Sequence, residues 1–238
     1  MSTGSMTITN EVANPFEITA GSGGGDFQVC PKGNYPAVIV GAIDLGTHAT
    51  EYKDKTTGAV RTGESRKGVL LIQIGTQYAK QTNGDPFIFA FGFSKAGGPN
   101  ARARQVFESI TGKTLADKDV FNPYSLVGMS CTANILDAKT SKGKDVANLE
   151  GLTALTMGVP PVEPACPIIQ WWHGKGDFPD HSWLPWSYGQ KLVDIYKDSN
   201  EYKAIHGGPA GGADVKPMTA TGQAPTIAAG IPDEDVPF

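Results

Sequence analysis

Ala37-Val38-Ile39-Val40-Gly41-Ala42-Ile43-Asp44-Leu45-Gly46 is apolar and rich in β-branched residues, it is bounded by turn-forming glycines, and it predicts a strand. Gly41 sits in the middle of the run. A glycine inside a strand predicts a bulge or a sharp bend, as a small closed sheet requires.

Working outward, Val69-Leu70-Leu71-Ile72-Gln73-Ile74 predicts a second strand, and Asn83-Gly84-Asp85 signals a turn before Pro86-Phe87-Ile88-Phe89-Ala90-Phe91-Gly92-Phe93, the third. Between the first two lies a polar, basic stretch over 47–67, a long loop or hairpin. Gly97-Gly98-Pro99 ends the third strand, and Asn100 to Ile110 reads as a short helix with Val106, Phe107 and Ile110 on its apolar side. Leu126 to Leu136 and Asp145 to Leu149 predict two further strands joined by the basic tip Lys139-Thr140-Ser141-Lys142-Gly143-Lys144. Five strands with a helix between the third and fourth is the order of the OB-fold, a Greek-key barrel whose second and third strands bind oligonucleotides or oligosaccharides. The expected fold is therefore mainly β with short helices, a five-stranded OB barrel carrying a C-terminal helical extension and an acidic tail.

Four regions follow: a flexible arm over 1–33, the OB domain over 34–155, a Trp- and Pro-rich extension and helix packed on the barrel over 156–206, and a flexible linker with an acidic partner-binding tip over 207–238. The extension holds Trp171, Trp172, Trp183 and Trp186, and Gln190 to Ile205 carries an amphipathic pattern with a break near Ser199. Trp171 and Trp172 are adjacent, so in an extended segment they point to opposite faces and only one need be buried. The linker is Gly, Ala, Pro and Thr, a composition suited to a tether.

The 238 residues include 30 glycines and 17 prolines, and 18% are charged, which disfavours a helical bundle. Of the 24 acids and 20 bases, the segment from residue 206 onward takes four acids and one base, so the body is near neutral and a nucleic-acid site must be a local basic patch. Cys30, Cys131 and Cys166 are odd in number and widely spaced, which fits a reducing compartment. No apolar run approaches the ~18 residues of a membrane span and no signal-type segment is seen, so the expected location is the cytoplasm, without a membrane partner.

The chain ends in Asp233-Glu234-Asp235-Val236-Pro237-Phe238. Three carboxylates, a proline that fixes φ and an aromatic bearing the α-carboxylate make a compact ligand for a basic pocket. This ending resembles the acidic tip of single-stranded DNA-binding proteins, with Glu234 and Val236 in place of the usual Asp and Ile. Gly33-Asn34-Tyr35-Pro36-Ala37 leading to Ile43-Asp44-Leu45-Gly46, the block Leu126-Val127-Gly128-Met129-Ser130-Cys131, and Leu184-Pro185-Trp186 with the later Ser199-Asn200-Glu201-Tyr202 look like phage-encoded OB-fold single-stranded DNA-binding proteins. The resemblance covers roughly 33–205 plus the tip. It implies coating and protection of single strands in phage DNA replication, recombination and repair, in the host cytoplasm, with partner proteins recruited through Asp233 to Phe238.

Single strands are held by cations for phosphates and aromatic faces for bases. The expected contacts are Lys53, Arg61, Arg66 and Lys67 around the first loop, Lys80 beyond the second strand, and Lys139, Lys142 and Lys144 at the last hairpin. Tyr52, Tyr78, Phe87, Phe89 and Phe91 are the expected stackers, though aromatics recurring with period 2 also suit a core. A tethered polyanion near such a groove would compete with DNA. No cofactor, metal or catalytic residue is expected, and a homo-oligomer is left open. Two alternatives remain: an OB-fold adaptor that binds protein, and a metal-dependent nuclease using Asp177, Asp180 and His181. Cys166, His173 and His181 have zinc-ligand side chains but no zinc-motif spacing.

Overall fold

The computed structural model describes residues 28–53, 58–95, 98–140 and 143–207, with the side chains of Tyr52, Lys53, Trp186 and Ser187 outside that description. The arm over 1–27, Lys142, and the linker and tip over 208–238 therefore lie outside the described residues.

The chain forms β1 (Gly33–Lys53), β2 (Val60–Ile74), β3 (Ile88–Ser94), α1 (Arg102–Thr111), a single 3-10 turn (Pro123–Leu126), β4 (Ser130–Lys139), β5 (Asp145–Ala154), β6 (Ile169–Trp171), α2 (Trp186–Lys197) and α3 (Asn200–His206). It is mainly β, with a few short helices. The sheet runs in the order β3-β2-β1-β4-β5, and β6 pairs with β1 in parallel. A closed five-stranded barrel was the expectation. Among the described residues no register pairs β3 with β5, so the sheet is open there.

Polar residues did not stop β1. It continues past Gly46 and pairs with β2 as far as Lys53 opposite Val60, so the basic stretch is a hairpin. Two bulges bend it, between Ile39 and Gly41 and between Asp44 and Gly46. The second places Gly46 at φ 82, and a Cβ there would stand 2.5 Å from that of Ser199, so only glycine lets the C-terminal segment come so close.

The sheet is buried on both faces along β1, β2 and β3. Ala37, Ile39, Leu70, Ile72, Phe89 and Phe91 point inward with Val106 and Ile110 of α1 and Cys131, Ala133, Ile135, Leu149 and Leu152 of β4 and β5. Val38, Val40, Ile43, Leu45, Val69, Leu71 and Ile88 point the other way and meet Val162, Trp171, Leu184, Leu192 and Tyr196 of the extension. Gln73, fully buried on that outer face, fastens the extension's backbone: its side-chain oxygen Oε1 accepts from Ala165 N–H at 2.8 Å and Cys166 N–H at 3.0 Å. A buried amide is tolerated only when satisfied in this way. α2 and α3 are separate, as the pattern break predicts, and the Ser199 hydroxyl caps α3 by accepting from Tyr202 N–H at 3.1 Å. Among the described residues no helix is long and apolar enough to cross a membrane.

Candidate nucleic-acid interface

Phe87, Phe89 and Phe91 are core residues, at most 6% exposed, and this corrects their assignment as stacking platforms. Their period-2 spacing puts all three on the inner face, where burial of large aromatic area decides their fate. Phe93, the fourth of the series, is only half-buried, and its ring lies over Gly68.

The outer face of β2 and β3 is closed to an oligonucleotide as well. Val69, Leu71 and Ile88 lie beneath the extension, so the face that an OB barrel offers to its ligand is covered by this chain's own residues. The sequence carried a signal of this: Val69 to Ile74 is continuously apolar except for Gln73, and a run without alternation is buried on both sides.

The expected cations fall in three places. Arg61 is exposed on β2 opposite Tyr52, whose backbone and that of Lys53 end β1. Lys139 and Lys144 are exposed at the β4–β5 hairpin, where Lys139 pairs with Asp145 at 3.2 Å. The registers set these groups at opposite ends of β1, since β4 overhangs its start at Gly33 while β2 follows its end. Their charges do not converge as one patch. Lys80 and Tyr78 are exposed in the β2–β3 connection, a third location.

Arg66 has its partner on β1, and Lys67 lies next to it on β2. The Arg66 Nε donates to both carboxylate oxygens of buried Asp44 at 3.1 Å, and its terminal nitrogen makes a further contact with Asp44 Oδ2. That hydrogen bonding raises the guanidinium pKa further, against the opposing effect of burial, so Arg66 stays charged with Asp44 as counter-ion. Half-buried Lys67 faces Gly46 across the ladder and acts electrostatically on Asp198. Tyr124, whose hydroxyl donates to the Trp171 carbonyl at 3.0 Å, also senses Asp44 and Arg66, and burial pushes its pKa well up.

Sequence reasoning singled out the tryptophan pair without assigning either residue to the site. Trp171 is 3% exposed and belongs to the outer core, whereas Trp172 is 45% exposed. Tyr124 meets Trp172 edge-on with centroids 5.9 Å apart, and the Lys175 ammonium lies 4.5 Å from its ring centroid. Alternation along β6 and its flanks could have found this.

Cys166, His173 and His181 do not meet as ligands, and among the described residues no three His, Cys, Asp or Glu side chains are grouped to hold a metal. His181 Nδ1 lies 3.1 Å from the Pro179 carbonyl, and Asp180 accepts from the Ser182 amide and hydroxyl, contacts that turn a loop. No protein-family model matches the chain, and no curated protein matches its sequence.

Proposed function

We propose that this chain binds single-stranded DNA and recruits partner proteins through its acidic C-terminal hexapeptide. The observation that carries the reading is the strand order β3-β2-β1-β4-β5 with α1 between β3 and β4, which is that of an OB barrel left without hydrogen bonds between β3 and β5. Fold alone does not give function. What adds to it are a half-exposed indole beside a lysine and the resemblance of Asp233 to Phe238 to a partner-recruiting tip. In this reading the protein coats single strands during phage replication and recombination, without catalysing a reaction.

A protein-binding adaptor is the second reading, and one observation favours it: the extension occupies the β2–β3 face on which OB folds take oligonucleotides. Fluorescence anisotropy of labelled oligo-dT and of its duplex, over a salt series, separates the two. Single-strand binding that weakens with salt, and is modestly tighter for a chain ending at Gly230, supports the proposal and a competing tail. Absence of binding to either form at low salt overturns it in favour of the adaptor.

A further inference from the structure

We propose that Trp172 and Lys175 form a stacking site for one unpaired nucleobase, on the β6 side of the sheet and away from the covered β2–β3 face. The inference deepens the single-strand reading and rests on it. It begins with alternation: Trp171 faces the core, while Ile168, Gln170 and Trp172 face solvent. Ile168, 56% exposed, and Trp172, 45% exposed, put two large apolar side chains on this solvent side of β6.

The indole is also held in place before any ligand arrives. Tyr124 braces it edge-on at 84°, and the Gln170 side-chain amide donates to the Tyr124 carbonyl at 3.2 Å. Lys175 lies by the ring because its ammonium donates to the Gln170 carbonyl at 2.6 Å. An aromatic fixed by its neighbours loses little freedom on binding, which favours a planar ligand. A nucleobase supplies the plane and its phosphate supplies a charge for the lysine. On binding, the ammonium shifts from the ring to the flanking phosphate, exchanging a cation–ring contact for an ion pair.

The test uses the full chain with oligo-dT and an abasic strand of equal length, which keeps the phosphates and removes the bases. The wild type should prefer oligo-dT. Trp172→Ala should weaken oligo-dT binding by about tenfold and leave abasic binding unchanged, with Trp172→Phe restoring part of the loss. A wild type that prefers oligo-dT while Trp172→Ala binds both strands as the wild type does would overturn the stacking site and leave the single-strand reading standing. A wild type that binds neither strand would overturn both. Photocrosslinking of a 5-iododeoxyuridine strand to the wild-type chain reads the contact without a variant: adducts on Trp172 support it, and adducts only elsewhere sink it.

Discussion

Arg61 and Arg66 lie on one strand, yet among the described residues only Arg66 has a carboxylate partner. Arg66 forks onto a buried carboxylate, while Arg61 is exposed on the distal part of β2. Each phosphate contact on a single strand contributes about 0.7 to the slope of log K against log salt, so Arg61→Ala should lower that slope by about this amount and leave the melting temperature unchanged. Arg66→Ala should do the reverse. It strands Asp44 in the interior without a counter-ion, at a cost of about 1–3 kcal/mol given the partial exposure of the arginine, with little change in slope. Salt titrations and thermal melts of both variants check this, and equal slope changes would show that Asp44 does not neutralise Arg66. The two bases look alike in the sequence. What separates them is a diagonal side-chain contact across the ladder: Arg66 stands opposite Thr47 and reaches back to Asp44, whose own partner is Gly68, past a bulge at Gly46 that no local pattern specifies.

Among the elements, α3 was legible and β6 was not. Ser199-Asn200-Glu201 carries an N-cap signal, and the helix starts there. β6 is three residues inside a Pro-rich segment, too short for a period-2 pattern, and it exists because β1 offers an edge beyond the end of its pairing with β4. Tertiary context also extended β1 through polar residues that read as a loop or a hairpin, and the hairpin is what forms. The attachment of α3 to β1 has a pH dependence of defined sign. Burial pushes the Glu201 carboxyl up, but hydrogen bonds from the Thr47 amide at 2.7 Å and hydroxyl at 2.8 Å, helped by Arg66, bring it below its ordinary value. A depressed carboxylate stabilises the folded state above its unfolded pKa of about 4.3, and that contribution is lost as pH falls through the lower folded value. Amide exchange across Asn200–His206 should therefore accelerate below about pH 4, ahead of β2, and Glu201→Gln should flatten the dependence. An unchanged profile in the variant would assign the acid sensitivity to other carboxylates.

At the scale of the whole molecule, β1, β2 and β3 form a partition between two apolar clusters, the inner one closed by α1, β4 and β5 and the outer one by the extension. The sequence division at 155/156 therefore separates segments that share a core. Without the extension, Val38, Val40, Ile43, Leu45, Val69, Leu71 and Ile88 would face water together with a Gln73 side chain that has lost the Ala165 and Cys166 amides. Burial of side chains of this size contributes about 1.5–3 kcal/mol each, more than the margin by which a domain of this length is stable. A chain spanning 34–155 should thus aggregate or stay unfolded, and should not reveal a high-affinity DNA face. In the full chain, urea unfolding followed by tryptophan fluorescence, which reports on the extension, should coincide with that followed by far-ultraviolet circular dichroism, which reports on the sheet. The contrary result is equally specific. A soluble, monomeric 34–155 segment that binds oligo-dT more tightly than the full chain would make the extension a removable cover over the β2–β3 face, and two separated urea transitions would show the same independence in the intact protein.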